Sequence, residues 1–216
     1  GVIAHQLKQP LNILSLYCND VKDSFFSNEI NNKFIDDFSK NTKEQINFLS
    51  ETIDDFRDFF NPNKQKVVFE IKSAIEKSLK FMGNQFEINR VKVNIEYKDE
   101  KVYGIEIELE QVILNILNNS MDAFKERKIE NKEINIKVLS KQSYTILIME
   151  DNAGGVKEEN LEKLFDPYYT TKSTGTGTGL YMVKLVIKNS FQGDLKINNS
   201  EKGLRYIMAL PQKEES

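Results

Sequence analysis

Cysteine is almost absent: Cys18 stands alone among 216 residues. An internal disulfide and any cysteine-based metal cluster are thereby excluded, the usage suits a reducing cytosol, and Cys18 reads as a small buried hydrophobe. Long apolar runs are missing as well. Stretches such as YTILIM, 144–149, fall far short of the roughly 20 residues a membrane-spanning helix needs, and no signal-peptide pattern opens the chain. This piece therefore reads as soluble and cytoplasmic, without membrane contact of its own. No sign of charge dominates: 30 basic residues against 33 acidic ones leave a net charge of −3, which argues against nucleic acid or any other polyanion as a partner. Histidine is as scarce as cysteine, and His5 is the only one.

What is present is a globular composition, 39% hydrophobic and 29% charged, in a length that allows one large domain or two ordinary ones. Gly1 to Ala4 enter a helical pattern with no capping residue, so the chain reads as a fragment whose upstream portion, with any signal input and membrane attachment, lies elsewhere. Ile3, Leu7, Leu11, Leu14, Cys18, Val21 and Phe25 recur at steps of three and four, the spacing of one helix face. After the polar break SNEINN a second series follows, Ile30, Phe34, Phe38, Ile46, Leu49, Ile53, Phe56 and Phe60, interrupted by Thr42. The spacing predicts a second helix over 29–60, about 48 Å long at 1.5 Å per residue. Such a hairpin leaves part of each seam uncovered, and a dimeric four-helix bundle is the economical way to cover it. NPNKQK, 61–66, ends the helix at Pro62.

Beyond this break the pattern mixes helix and strand. VVFEI, VKVNIEY, EINIKVL, YTILIME, DLKIN and LRYIMAL read as strands, and 71–82, 106–127 and 179–191 as helices. Their order is not a regular βαβ alternation, so the expected class is α+β, with helices layered on one sheet. Domains are expected over 1–61 and 66–213.

Three segments carry chemistry. In QVILNILNNSMDA, Gln111, Asn115 and Asn119 fall on one helix face while Val112, Ile113, Ile116 and Leu117 cover the others. Neutral carboxamide oxygens can hold Mg²⁺ without cancelling the charge that binds phosphates; read alone, the row is equally a solvated face. MEDNAGGV runs a strand into Asp151, whose carboxylate can accept from an exocyclic amine, and its glycines admit a flat ring; read alone, it is more readily a tight turn. In LFDPYYTTKSTGTGTGL, Gly175, Gly177 and Gly179 precede a helix, and glycine amides at a helix start can cradle phosphate. A flexible loop would look the same.

Together and in this order the segments resemble the ATP-binding domain of sensor histidine kinases, within the superfamily of DNA gyrase and related chaperone ATPases. Asn115 and Asn119 match its asparagine box, DNAGG its adenine-binding aspartate box, LFDPYYTTK its phenylalanine box and GTGTGL its last glycine box. Upstream, HQLKQPLN is similar to the phosphoacceptor box H-E-L-R-x-P-L. The resemblance implies a phosphotransfer hairpin dimerising through 1–60, then a two-layer α/β sandwich of the Bergerat type. It implies ATP and Mg²⁺ as ligands, autophosphorylation of His5, and transfer to an aspartate on the receiver domain of a response regulator docked near Leu14, Tyr17 and Val21.

By the same resemblance Asn119 ligates Mg²⁺ and Asn115 supports the metal or the phosphates, while Asp151 recognises the adenine amine and Gly155 makes room for its ring. Residues 156–178 form a lid anchored by Phe165, with Lys172, Gly175, Gly177 and Gly179 near the phosphates. His5 lies off the apolar seam, its neutral imidazole offers a lone pair, and Pro10 removes the amide that would bond the carbonyl of Gln6.

The sequence departs from the family pattern in places. Gln6 follows the phosphoacceptor where an acidic residue is common, and an amide cannot act as a base, so the expectation is either slower autophosphorylation or another carboxylate serving in its place. Gln9, one turn beyond His5, is a candidate for positioning water in dephosphorylation of the partner. Asn115 occupies the position where gyrase-type hydrolases carry the glutamate that activates water, so hydrolysis is expected to be slow. Ala153 replaces a glycine common in relatives and would be strained if its φ were positive.

Overall fold

The computed structural model describes residues 2–59, 65–170 and 177–213, the side chains of 2–9, 48 and 51–59 excepted. The chain divides into two compact units, 1–62 and 63–216. In the first, α1 (Val2–Phe26) and α2 (Asn32–Phe59) form the expected hairpin. The reversal is local chemistry: Asn28 adopts φ 61°, the Glu29 amide bonds the Ser24 carbonyl, and Asn31 caps α2 by accepting from the Phe34 amide at 2.9 Å.

The seam of α1 is split by this arrangement. Leu14, Tyr17 and Val21 are half-buried and Ser24 is buried, whereas Leu11, Cys18 and Phe25, seven residues apart, stay exposed, as do Ile35 and Ile46 on α2. The expectation that Cys18 is buried is thus corrected. Two helices shield only the stripe each turns toward the other, and Cys18 sits on the adjacent stripe.

The second unit holds β1 (Val67–Glu70), α3 (Ile71–Asn89), β2 (Val91–Glu96), β3 (Lys101–Gly104) and α4 (Glu106–Glu126). There follow β4 (Lys132–Lys141), β5 (Tyr144–Asp151) and the short α5 (Glu158–Leu161), which runs on as a 3₁₀ turn to Phe165. Then α6 (Gly179–Leu185), closed by a π turn to Ser190, leads to β6 (Asp194–Asn199) and β7 (Leu204–Pro211). A mixed five-stranded sheet runs β2-β4-β5-β7-β6, parallel only between β2 and β4; β1 and β3 pair separately.

The expected α+β class is the observed one. Strand β3 and the 158–165 turns were not predicted, being too short for a periodic signal. Helix α3 runs two turns past the expected end at 82, because Met82 and Phe86 continue the buried stripe of Ile71, Ala74 and Ile75, and Gly83 faces open space.

Helices cover one sheet face. On them Ile75, Leu109, Val112, Ile113, Ile116 and Leu117 are buried; under them lie Ile134, Ile136 and Val138 of β4, Leu147 and Met149 of β5, and Tyr206, Met208 and Leu210 of β7. The two-residue period of β5 carries this buried face on to its final residue, Asp151, which is why a carboxylate ends in the interior.

Candidate nucleotide site

Helix α4 sets the geometry. Val112, Ile113, Ile116 and Leu117 are driven into the core, which leaves Gln111, Asn115 and Asn119 half-buried along one flank. The Asn115 amide bonds the Gln111 carbonyl at 3.2 Å. Its Oδ1 points to the start of α6, where a β-carbon on Gly179 would lie 3.1 Å away, so the asparagine and glycine segments meet side by side.

Asp151 is held on the same helix. Ser120, next to Asn119, donates from Oγ to Asp151 Oδ2 at 3.0 Å, while Oδ1 accepts from the Ala153 amide at 2.9 Å and the Leu204 amide at 3.4 Å. The phenol of Tyr206 is pushed well above its usual range by complete burial, then by the negative charge of Asp151. Gly203 packs against the Asp151 carbonyl with no room for a side chain.

The loop after Asp151 is strapped from three sides. Asn152 Oδ1 accepts from the Glu133 amide at 2.8 Å, Arg127 donates from Nη1 to the Ala153 carbonyl, and the Gly154 amide bonds the Lys202 carbonyl at 2.8 Å. Positive φ falls on Gly154 (88°) and Gly155 (66°), while Ala153 keeps a negative φ and escapes the strain considered above. A side chain on Gly155 would collide with Asn199 Oδ1, and Asn199 brackets Val156 by accepting from its amide at 2.9 Å and donating to its carbonyl at 2.7 Å. Glycine at 155 is therefore demanded by backbone and packing, whatever binds beside it.

Farther on, Phe165 is half-buried, with the Lys184 ammonium 5.2 Å from its ring centre. The Tyr168 amide bonds the Gly177 carbonyl at 2.9 Å, and Gly177, at φ 67°, leaves no space for a side chain against the Tyr168 backbone. Burial, and secondarily Tyr181, raises the Tyr168 phenol.

The structure therefore sets Asn115 beside Gly179, and Asp151 against Ser120 of α4 next to Asn119, while Gly155 lies against Asn199 and Gly203 and Gly177 against Tyr168. Lys172 and Gly175 lie outside the described residues, and His5, Gln6 and Gln9 belong to α1 with their side chains outside the description. Ser120, Asn199 and Arg127 escaped the sequence reading. Ser120 directly follows Asn119, and that adjacency is the one local signal for it; Asn199 lies 44 residues from Gly155, and no local pattern links them.

Residues 104–214 match the model of the histidine kinase-, DNA gyrase B-, and HSP90-like ATPase family, more than half of the chain. The chain belongs to that family. Its second unit accordingly carries the family's ATP-binding domain. Sporulation kinase B of Bacillus subtilis is 27% identical over 214 residues, covering 97% of this chain and 48% of the relative. The chain spans about half the length, or less, of the curated relatives it matches. Histidine kinase AdeS of Acinetobacter baumannii has a similar fold, with a TM-score of 0.68, 19% identity, and coverage of 97% of this chain and 98% of that one. Histidine kinase ThkA, in its complex with response regulator protein TrrA, gives a TM-score of 0.65 at 19% identity, covering 98% of this chain and 60% of that chain. Among the described residues no helix is long and apolar enough to cross a membrane.

Proposed function

We propose that the chain is the kinase core of a two-component sensor, which binds Mg·ATP in the second unit, phosphorylates His5 and passes the phosphoryl group to a response-regulator aspartate. The carrying observation is the convergence on α4: Asn115 beside Gly179, and Ser120 bonded to Asp151 one residue after Asn119. In this reading Asp151 accepts from the adenine amine and Gly155 borders the ring. Gly175, Gly177, Gly179 and Lys172 lie along the phosphates. Asn119 and Asn115 hold Mg²⁺; their neutral oxygen donors, one helical turn apart, fit that ion, which when bound neutralises phosphate charge.

The chain's own contribution is positioning. A ring nitrogen of His5 forms the new P–N bond to the γ-phosphorus as the bond to the ADP oxygen breaks, and a ring proton is lost to solvent or to a neighbouring group. Gln6 cannot take that proton, which sets the expectation of a slow reaction. The amide at Asn115 supports kinase over hydrolase, because water is left without a carboxylate base at that position.

The exposed stripe of Leu11, Cys18 and Phe25 supports a homodimer through the hairpin, whose four helices would bury it. The ThkA complex supports a response regulator as partner. Gln9, one turn from His5, is the proposed water-positioning residue for removing phosphate from that partner.

The test is incubation of the wild-type chain and His5→Ala with Mg²⁺ and γ-labelled ATP. Acid-labile, base-stable label present only with His5 is the expected result. ATP binding without label would make the chain a nucleotide-binding relative that signals by conformation, and acid-stable label would indicate transfer to a hydroxyl.

A further inference from the structure

The hydroxyl of Ser120 is a buried polar group that marks the convergence on α4 but to which the kinase reading gives no part in ligand recognition. Ser120 is 2% exposed and lies within hydrogen-bond reach of two acceptors, the Ile116 carbonyl at 3.2 Å and Asp151 Oδ2 at 3.0 Å. A serine hydroxyl has a single proton and can serve only one of them. The carboxylate is both nearer and a charge-assisted acceptor, so it takes the proton.

A carboxylate has about four lone-pair positions. On Asp151 the Ala153 and Leu204 amides use those of Oδ1, and Ser120 uses one on Oδ2. Among the described donors, the position left over is on Oδ2, the oxygen that Ser120 holds. The backbone amides fix one end of the carboxylate, and Ser120 fixes the rotation that aims the other.

We infer that Ser120 is a positioning residue for base selection: its hydroxyl donates to Asp151 Oδ2 and aims the remaining lone pair at the amino group of a 6-aminopurine nucleotide. The inference rests on the reading of Asp151 as the adenine acceptor, and the experiment separates the two. Binding of Mg·ATP and of purine riboside 5′-triphosphate, which lacks only the 6-amino group, is measured by calorimetry for the wild-type chain and for Ser120→Ala.

The wild type is expected to prefer ATP by about 10- to 100-fold, the value of a hydrogen bond to a charged acceptor. In Ser120→Ala the preference should shrink by about tenfold while affinity for purine riboside triphosphate stays at the wild-type level. That unchanged affinity also shows that the variant is folded. Equal weakening of both ligands would mean that Ser120 only packs, and an unchanged preference would mean that Asp151 is aimed without it; either overturns the inference. No preference in the wild type would overturn the reading of Asp151, and this inference with it.

Discussion

The two units use the same kind of signal, an apolar helix face, and end in opposite states. In 63–216 the stripes of α3 and α4 disappear completely: Ile71, Ile75, Leu109, Ile113 and Leu117 are all fully buried. In the hairpin, Leu11 remains 53% exposed and Phe25 69%, and among the described apolar side chains only Pro10 is buried. The difference lies in the number of layers. A helix on a sheet has one face to hide and a surface as wide as itself to hide it on, whereas two helices alone cover one stripe each. Periodicity reports that a face is apolar, not what covers it.

The largest test of this contrast is a matched pair of truncations. Leu117→Ala should lower the unfolding free energy by about 3–4 kcal/mol, since α4 has no means of refilling the space. Leu11→Ala should cost less than about 1 kcal/mol at concentrations where the chain is monomeric, because a half-exposed side chain has little burial to lose. Equal costs in denaturant titrations would break the comparison.

The second test supplies what the hairpin lacks. If a second copy covers the Leu11, Cys18 and Phe25 stripe, Leu11→Glu combined with Phe25→Glu should weaken self-association by at least about 100-fold, roughly 3 kcal/mol of apolar burial. Sedimentation equilibrium reads this directly. An unchanged mass distribution would show that the stripe is not where copies meet.

A third prediction tests how close packing reaches the nucleotide loop. Gly155→Ala should destabilise the second unit by about 2 kcal/mol through its positive φ and the crowding at Asn199, and weaken ATP binding in parallel. Asn199→Ala opens that crowding, so the double variant should recover part of the loss if the collision matters more than the φ. Thermal melts with and without ATP measure both effects.

Legibility followed the range of the physical cause. The four-residue spacing of Asn115 and Asn119 is local and places them on one flank of α4, and the apolar strand that leads into Asp151 is equally local. Cys18 is exposed against expectation because an apolar stripe wider than one neighbour looks the same in sequence as a buried one. Asn199 bracketing Val156, and Ser120 turning to Asp151, join residues 43 and 31 positions apart, and only tertiary packing, of the loop after β5 on β6 and of α4 on the sheet, brings them together. Strand β3 escaped because four residues, KVYG, offer too short a pattern. Gly155 was read as space for a ring, yet the structure assigns it first a backbone conformation that other residues adopt at a cost.

The smallest expected effect asks whether charge, and not packing alone, separates the dense unit from the hairpin. Glu150 on β5 faces Arg205 on the adjacent β7, with Arg205 Nε 2.8 Å from Oε2. Burial alone would raise the Glu150 carboxyl, but hydrogen bonds from Arg205 and Ser200, with the charges of Arg205 and Lys202, outweigh it and hold the group below the ordinary carboxylate range. A carboxyl depressed in the folded state binds its proton more readily when unfolded, so its stabilisation is fully present above the unfolded value and is lost as pH falls through the folded one. Stability should therefore decline as pH falls through and below the ordinary carboxylate range, and Glu150→Gln should remove part of that decline. Arg205 is more than one-third exposed, so the difference should stay under about 1 kcal/mol. Denaturant midpoints of both proteins across this range provide the check; parallel curves would show that the β5–β7 pairing is held by its backbone and apolar rows alone.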